Sequence, residues 1–335
     1  MSTAVACVLG IGVLAYAIFG GADFGAGFWD LTAGGTKRGG RPREVIDHAI
    51  APVWEANHVW LIFCFVLLWT GFSEAYASIT LTLFVPLTVA AVGIVLRGSG
   101  FAFRKAVVRT RDRRNFGAAF AASSILVPYC MGAVAGGIAS GRVPAGGEAG
   151  DPWSSWVNPT SVLGGVLAIA TIAYLSAVFL VSEARRLGDE QLVGYFRRRA
   201  IGAAIAAGAV AIAGIFILRA DASTLFDDLV SDSWPLLLLS AACGVAALVL
   251  LRRGAGRGVR VLAMVAVASV VVGWGVAQWP YLLPDSLTVS EAAAPSSTLA
   301  TLLVAAGCFV LLVVPGFVIL YVLDQRSLLP AEGVE

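Results

Sequence analysis

Two carboxylates interrupt apolar stretches of this chain, and both could handle protons. Glu55 lies in the run Ala51-Pro52-Val53-Trp54-Glu55-Ala56-Asn57-His58-Val59-Trp60, where a long hydrophobic segment begins. Asp23 lies in Gly21-Ala22-Asp23-Phe24-Gly25, inside the segment before it. An ionisable side chain at membrane depth costs ~2.5–3.5 kcal/mol on insertion scales, so such groups face a protein interior or a wet cavity and build proton paths. Burial disfavours the charged form of a carboxylate, which suits a relay. Glu55 and His58 are three residues apart and share a helix face, Trp54 and His58 are four apart, and Asn57 and Trp60 define a second, overlapping face. The plainer reading of both acids is hydrogen-bond glue between helices. For His58 it is a hydrogen-bonded core histidine, set against a proton carrier or a haem ligand.

Counting the ligands tests the haem reading. Haem b or d needs axial His, Met or Cys. The chain has two histidines, His48 and His58, and three methionines, Met1, Met131 and Met264. His48 and His58 fall ten residues apart on one predicted helix and cannot clamp a macrocycle from opposite faces. A His58–Met131 pair is the combination that remains. Alone, the chain is a poor candidate for electron transfer.

These residues need helices to hold them. Of 335 residues, 59% are hydrophobic and 13% charged, against about 25% charged in soluble domains. The chain is an all-α polytopic membrane protein. Crossing ~30 Å of hydrocarbon takes about 20 apolar residues, and nine such runs are expected, near 3–28, 50–71, 76–97, 115–138, 161–183, 199–219, 233–251, 259–279 and 299–323. All but Arg142 and Arg219 of the 23 basic residues fall in alternate connections or the tail. Arg97 is counted in the 3–4 connection. Positive-inside reasoning places the N-terminus outside and the C-terminus in the cytoplasm. Asp23 and Glu55 then lie on the cytoplasmic side of the midplane, Glu55 about 12 Å beyond Asp47 at ~1.5 Å per residue.

The connections carry fewer signals. Trp153, Trp156 and Trp279 suit an interfacial belt, and the 6–7 loop is acidic, with Asp221, Asp227, Asp228 and Asp232. Asp30 is expected to be solvated at the end of the first segment, and Glu74 to be an exposed loop charge. Pro128 and Tyr129 predict a kink in the fourth segment, and Asn158-Pro159-Thr160-Ser161 an entry turn and cap for the fifth. Cys7, Cys64, Cys130, Cys243 and Cys308 all fall in apolar segments, without metal-site spacing, and read as small packing residues. No basic region precedes the first apolar run, so it reads as a mature helix rather than a cleaved signal. No long soluble domain and no Gly-rich phosphate loop occur, which argues against a receptor ectodomain and against ATP hydrolysis.

The same residues resemble subunit II of cytochrome bd-type terminal oxidases. The likeness is carried by Gly21-Ala22-Asp23-Phe24-Gly25-Ala26-Gly27 and by Ile50-Ala51-Pro52-Val53-Trp54-Glu55-Ala56-Asn57-His58-Val59-Trp60-Leu61-Ile62. It continues collinearly through Gly98-Ser99-Gly100-Phe101-Ala102-Phe103-Arg104, Val127-Pro128, Asn158-Pro159 and Trp279-Pro280-Tyr281-Leu282-Leu283-Pro284. The resemblance implies a single integral membrane domain over 1–335: a four-helix bundle at about 1–140, then a second bundle and one peripheral helix at about 158–325. It implies a haem-free chain in the bacterial plasma membrane, paired with a haem-bearing subunit I that carries haems b and d or a third haem b. That complex oxidises quinol and reduces O2 to water with protons from the cytoplasm. Small accessory subunits fit the pattern, grooves between the bundles suit a structural quinone or lipid, and nothing points to nucleic acid.

By position, Glu55 takes the place of the family's acid, usually Asp, that lines a proton route, with Asn57 and His58 beside it. Asp23 matches the acid of the first-helix motif, and Trp60 the tryptophan near a lateral oxygen-access route. Two departures stand out: the acid is Glu, longer by about one bond length, and His58, a group that titrates near neutrality, replaces the usual Gln. Two other readings compete. A secondary transporter would show helices broken at corresponding positions of two halves, with Gly20-Gly21 and Pro128 as candidates. A purely structural scaffold subunit would use Asp23 and Glu55 for packing.

Overall fold

The computed structural model describes residues 1–34, 36–50, 54–106, 110–256 and 258–325. The chain is almost wholly helical. In hydrocarbon every backbone polar group must be satisfied within the segment, and a helix does that. Helix α1 (Ser2–Ala15) runs through one π-helical turn (Tyr16–Gly20) into α2 (Gly21–Thr32), so the first span continues across Gly20-Gly21 without a break. Then follow α3 (Thr36–Ile50), α4 (Trp54–Gly71), α5 (Ser73–Thr82), α6 (Phe84–Ala106) and α7 (Thr110–Ala139). The rest comprises α8 (Pro159–Arg186), α9 (Glu190–Asp221), α10 (Ser223–Ser231), α11 (Trp234–Arg252), α12 (Val259–Gln278), the hairpin strands β1 (Tyr281–Leu283) and β2 (Leu287–Thr288), and α13 (Ser296–Gln325).

Among the described residues, eight helices are long and apolar enough to cross a membrane, or nine if His58–Gly71 and Ser73–Thr82 count as one span bent by 118°. That bend corrects the third expected segment. The run 76–97 is not one helix: α5 turns away at Phe72, and the straight apolar span is Phe84–Phe103. The shift places Arg97 inside a span rather than in a connection.

Helix α8 is the central element, flanked by α2, α7, α9 and α12. Small residues make the close approaches. A methyl on Gly25 would overlap the Ile172 carbonyl of α8, and methyls on Gly132 or Gly164 would each overlap the other's carbonyl across the α7–α8 contact. Asn158 caps α8 as expected, its Oδ1 accepting from the Ser161 amide at 2.8 Å. Pro128 lies within α7, which continues through it.

At one end of the molecule the α7–α8 connection is pinned by α5. The amides of Gly146, Gly147 and Gly150 donate to Glu74, Ser78 and Thr82 at 2.9, 3.0 and 2.9 Å. These three acceptors are spaced by one helical turn, so one face of α5 receives the loop. Glu74 is thus half-buried and engaged, not the exposed charge expected. Arg142 reaches Asp221 at 2.7 Å, and Asp221 also accepts from Thr160, which ties this connection to the end of α9. The five cysteines are free; Cys130 and Cys243 are buried, while Cys7 and Cys308 face outward.

Candidate functional site

Asp23 is 4% exposed and Arg97 1%, deep between α2, α6 and α7. Arg97 Nη2 donates to Asp23 Oδ1 at 2.6 Å and to the Asp23 carbonyl at 3.0 Å. Its Nη1 donates to Ser124 Oγ on α7, and Ser124 in turn donates to the Phe120 carbonyl at 2.6 Å. The guanidinium lies between two rings, 4.7 Å from Phe24 and 4.4 Å from Phe120. A guanidinium tolerates such a site better than an ammonium, being planar and weakly hydrated. The pair balances charge that neither partner could carry alone in this surrounding.

The local sequence makes room for this pair. A methyl on Gly27 would overlap Ser124 and fall 2.9 Å from Arg97 Nη1, so glycine here lets the arginine reach across α2. The π-helical turn just before Gly21 widens the backbone and re-aims the side chains around it. Tyr16 opens that turn and lays its ring over Gly20.

Among the described residues, four polar atoms at this site have no hydrogen-bond partner: the Tyr16 hydroxyl, Asp23 Oδ2, His58 Nδ1 and Arg97 Nε. Asp23 and Arg97 act electrostatically on both Tyr16 and His58, so the four groups form one neighbourhood. His58 packs edge-on against Phe24 at 5.9 Å. Buried polar atoms are nearly always bonded, so four such atoms in one neighbourhood stand out.

A second carboxylate follows on the same face of α2. Asp30 is two turns from Asp23, about 10 Å along the axis at 1.5 Å per residue. It is buried, not solvated as expected. Arg43 on α3 holds it, with Nε to Oδ1 at 2.7 Å and Nη2 to the Asp30 and Gly34 carbonyls at 3.3 and 2.6 Å.

The structure therefore brings Asp23 and His58 together. Trp60 points elsewhere. It packs against Phe309 and Phe317 of α13 at 5.5 and 6.3 Å, with Phe63 stacked on Phe309 at 4.6 Å. Glu55 and Asn57 belong to the first turn of α4, and their side chains lie outside the described residues, as does that of His48. Arg97, Ser124, Tyr16 and Arg43 were not singled out from the sequence. A signal for Arg97 was present: small and apolar residues continue from Gly98 to Phe103, so the span does not end at the charge.

Of the two candidate haem donors, the His58 ring meets Phe24 edge-on, and Met131 is partly buried against the core that includes Phe24 and Val127. No group of three or more His, Cys, Asp or Glu among the described residues is placed to hold a metal ion.

Fold and site together define a polytopic helical membrane protein with a charge pair buried inside its spans. The chain belongs to the cytochrome bd terminal oxidase subunit II family, whose model matches residues 1–324. It is 25% identical over 221 residues to the cytochrome bd-I ubiquinol oxidase subunit 2 of Escherichia coli, covering 63% of this chain and 55% of the relative. It is 23% identical over 234 residues to the cytochrome bd ubiquinol oxidase subunit 2 of Bacillus subtilis, covering 70% and 67%. The match thus spans little more than half the length of the Escherichia coli protein. A chain in the solved bd oxidase of Geobacillus thermodenitrificans has the same fold, with a TM-score of 0.76 and 25% identity over 96% of this chain and 97% of that one. Apolar helices and bacterial relatives make this a multi-pass protein of the bacterial plasma membrane.

Proposed function

We propose that this chain is the haem-free subunit II of a quinol-oxidising O2 reductase and lines a proton path toward the haems of a partner, subunit I. The observation that carries the reading is the enclosed Asp23–Arg97 pair, with Asp23 Oδ2 and His58 Nδ1 buried beside it and without a partner among the described residues. In this reading the nine-span count holds, with the bent α4–α5 pair as one span, the N-terminus outside and the C-terminus in the cytoplasm. The first bundle spans about 1–140 and the second, with the peripheral helix, about 158–325. Asp23 then sits on the cytoplasmic side, where protons consumed in O2 reduction must come from. Glu55, one turn before His58, and Asn57, next to it in the chain, continue the path.

Electron transfer and O2 reduction are the chemistry of haems b and d, or of a third haem b, in the partner. This chain's part is to hold and move protons and to complete the assembly. Arg97 keeps Asp23 in place, and its charge lets the carboxylate persist without water. Trp60, in its aromatic cluster with Phe309 and Phe317, borders the oxygen-access route. Quinol reaches the complex through the partner, small accessory subunits attach at the rim, and lipid or a structural quinone fills grooves between the bundles.

Purification in mild detergent with a reduced-minus-oxidised spectrum tests this. Haem bands that follow a second membrane polypeptide, with quinol-dependent O2 consumption, are expected. A colourless chain with no such partner would sink the oxidase reading and favour a transporter, although the unbroken first span gives that alternative little support.

A further inference from the structure

We propose that Arg199 anchors an anionic phospholipid, holding its phosphate at the cytoplasmic end of the α9 span; this rests on the reading above that lipid fills grooves between the bundles, and names the lipid class and the residue. The Arg199 guanidinium carbon lies 3.4 Å from the centroid of the Tyr195 ring, one turn earlier on α9, and 5.8 Å from that of Trp29 on α2. The Trp29 ring is fixed in turn, its Nε1 donating to the Ala173 carbonyl of α8 at 2.9 Å. Rings from two helices, one in each half of the chain, therefore set where this charge stands. Other arginines near this end are engaged by acids: Arg41 by Asp189, Arg43 by Asp30 and Arg186 by Glu183. Among the described residues Arg199 has no carboxylate or carbonyl partner, and its contacts are the two rings.

Depth decides which anion can meet it. Arg199 is the last charge before an uninterrupted run of apolar and small residues, Ala200 to Leu218, which ends at Arg219. That run is about 28 Å long at 1.5 Å per residue, close to the ~30 Å of the hydrocarbon core. Arg199 thus stands at headgroup level. Helical side chains lean toward the N-terminus of their helix, which for α9 is the cytoplasmic end in the proposed topology, so the guanidinium snorkels toward the headgroups. Stacking covers the flat face of the guanidinium and leaves its N–H edge, a fork that matches phosphate oxygens. The surface beyond has room for the acyl chains. Only 6% of the apolar window of α9 is buried, against 50% for α8, so α9 stands at the outside of the chain. Gly202 and Ala206, three and seven residues on and on the same helix face, are exposed, and nothing lies within 4 Å of a Cβ at Gly202.

The test uses the assembled complex in mild detergent, washed with excess phosphatidylcholine, with its retained phospholipids then counted per haem by mass spectrometry. Wild type is expected to keep an anionic phospholipid that Arg199→Gln holds about tenfold more weakly, the scale of one lost charge-assisted hydrogen bond. Arg199→Lys keeps the charge without the planar fork and is expected to fall between the two. Arg198→Gln removes an exposed neighbouring charge and is expected to retain the lipid as wild type does. In nanodiscs of phosphatidylcholine, added phosphatidylglycerol should raise the thermal midpoint of wild type and of Arg198→Gln more than that of Arg199→Gln. Inorganic phosphate should not reproduce the shift; if it does, the site takes a free anion and the lipid is wrong. Equal losses in Arg198→Gln and Arg199→Gln overturn the proposal, because attraction would then be diffuse. Anionic lipid retained in Arg199→Gln as in wild type overturns the site and leaves the groove reading standing. Loss of the haem-bearing partner from Arg199→Gln with its anionic lipid kept also overturns it, since Arg199 would then serve that contact. If Arg199→Gln does not assemble, Arg199→Lys and the wild-type midpoint shift decide. No bound lipid and no shift in wild type sink both the site and the groove reading.

Discussion

The two halves of the molecule are built from the same material and treat buried polarity differently. Among the described residues, the buried charged side chains are Asp23, Asp30 and Arg97, all in the first half. In the second half no charged side chain is buried among the described residues; the hydroxyls of Ser161, Tyr174 and Tyr195 have no partner among them, and others on α11 and α12 return to the backbone. Ser233 donates to the Gly273 carbonyl at 2.8 Å, Ser240 to Ala266 at 2.9 Å and Ser269 to Val265 at 2.8 Å. Charged pairs there, such as Glu183–Arg186, stand at helix ends and are only part-buried. A hydroxyl bonded to its own or a neighbouring helix costs little in a membrane, whereas a charge costs several kcal/mol even when paired. The first half therefore keeps an expensive feature that the same fold does without next door. That asymmetry is the structural argument for placing the proton path in the first half and a supporting scaffold in the second.

The largest expected effect breaks the pair itself. Arg97→Met leaves Asp23 buried and uncompensated and should cost about 3–5 kcal/mol, seen as a collapse in the yield of assembled complex. Adding Asp23→Leu to it should recover much of the yield, since an apolar pair replaces a half-broken ionic one. No single hydroxyl in the second half should approach this: Ser269→Ala is expected to cost at most about 1 kcal/mol, measured as the thermal midpoint of the purified complex.

Packing sharpens the contrast next. Gly25→Ala drives a methyl into the Ile172 carbonyl and should destabilise by about 1–3 kcal/mol. On the outer face of α9, nothing lies within 4 Å of a Cβ at Gly208. Gly208→Ala should be neutral or stabilise by up to about 1 kcal/mol through helix propensity. Equal effects of the two would show that α2 does not need its close approach to α8.

The smallest expected effect lies outside the spans, on α10. Burial, then the neighbouring Asp232, Asp227 and Asp285, raises the Asp228 carboxyl above its ordinary value of 3.8. A folded-state value above the unfolded one means the folded protein binds the proton more tightly. Asp228 therefore does not penalise folding below pH 3.8 and does so increasingly as pH rises past it. Asp228→Asn should remove that decline and raise the thermal midpoint slightly at neutral pH, with little change at low pH. An equal effect at both would place its cause in packing rather than titration.

The site was legible in part. Asp23 stood out because a carboxylate among Gly, Ala and Phe is costly inside a span. Its partner was hidden by a misplaced boundary. The stretch from Trp60 to Leu96 is largely apolar, interrupted at Gly71-Phe72-Ser73-Glu74, so hydrophobicity alone reads the 118° bend there as a short loop between two spans. The third segment was then drawn to end at residue 97, and Arg97 fell among the connection charges. Asp30 was read as solvated for a related reason. The basic segment after it, with its glycines and Pro42, looks like a loop, yet it forms α3 and carries Arg43 back to Asp30. The Asn158 cap was legible because it depends on three neighbouring residues. The Arg97 and Arg43 pairings depend on where separate helices meet.

The most direct test of the central claim compares turnover per haem in the assembled complex for Asp23→Asn and for Asp23→Asn/Arg97→Gln. The double variant is electrically balanced, so a defect caused by an unpaired arginine should disappear in it, whereas a lost proton carrier should not return. The account predicts intact haem spectra and turnover reduced by roughly tenfold or more in both. Turnover at the wild-type level in the double variant would contradict it and leave Asp23 and Arg97 as packing groups.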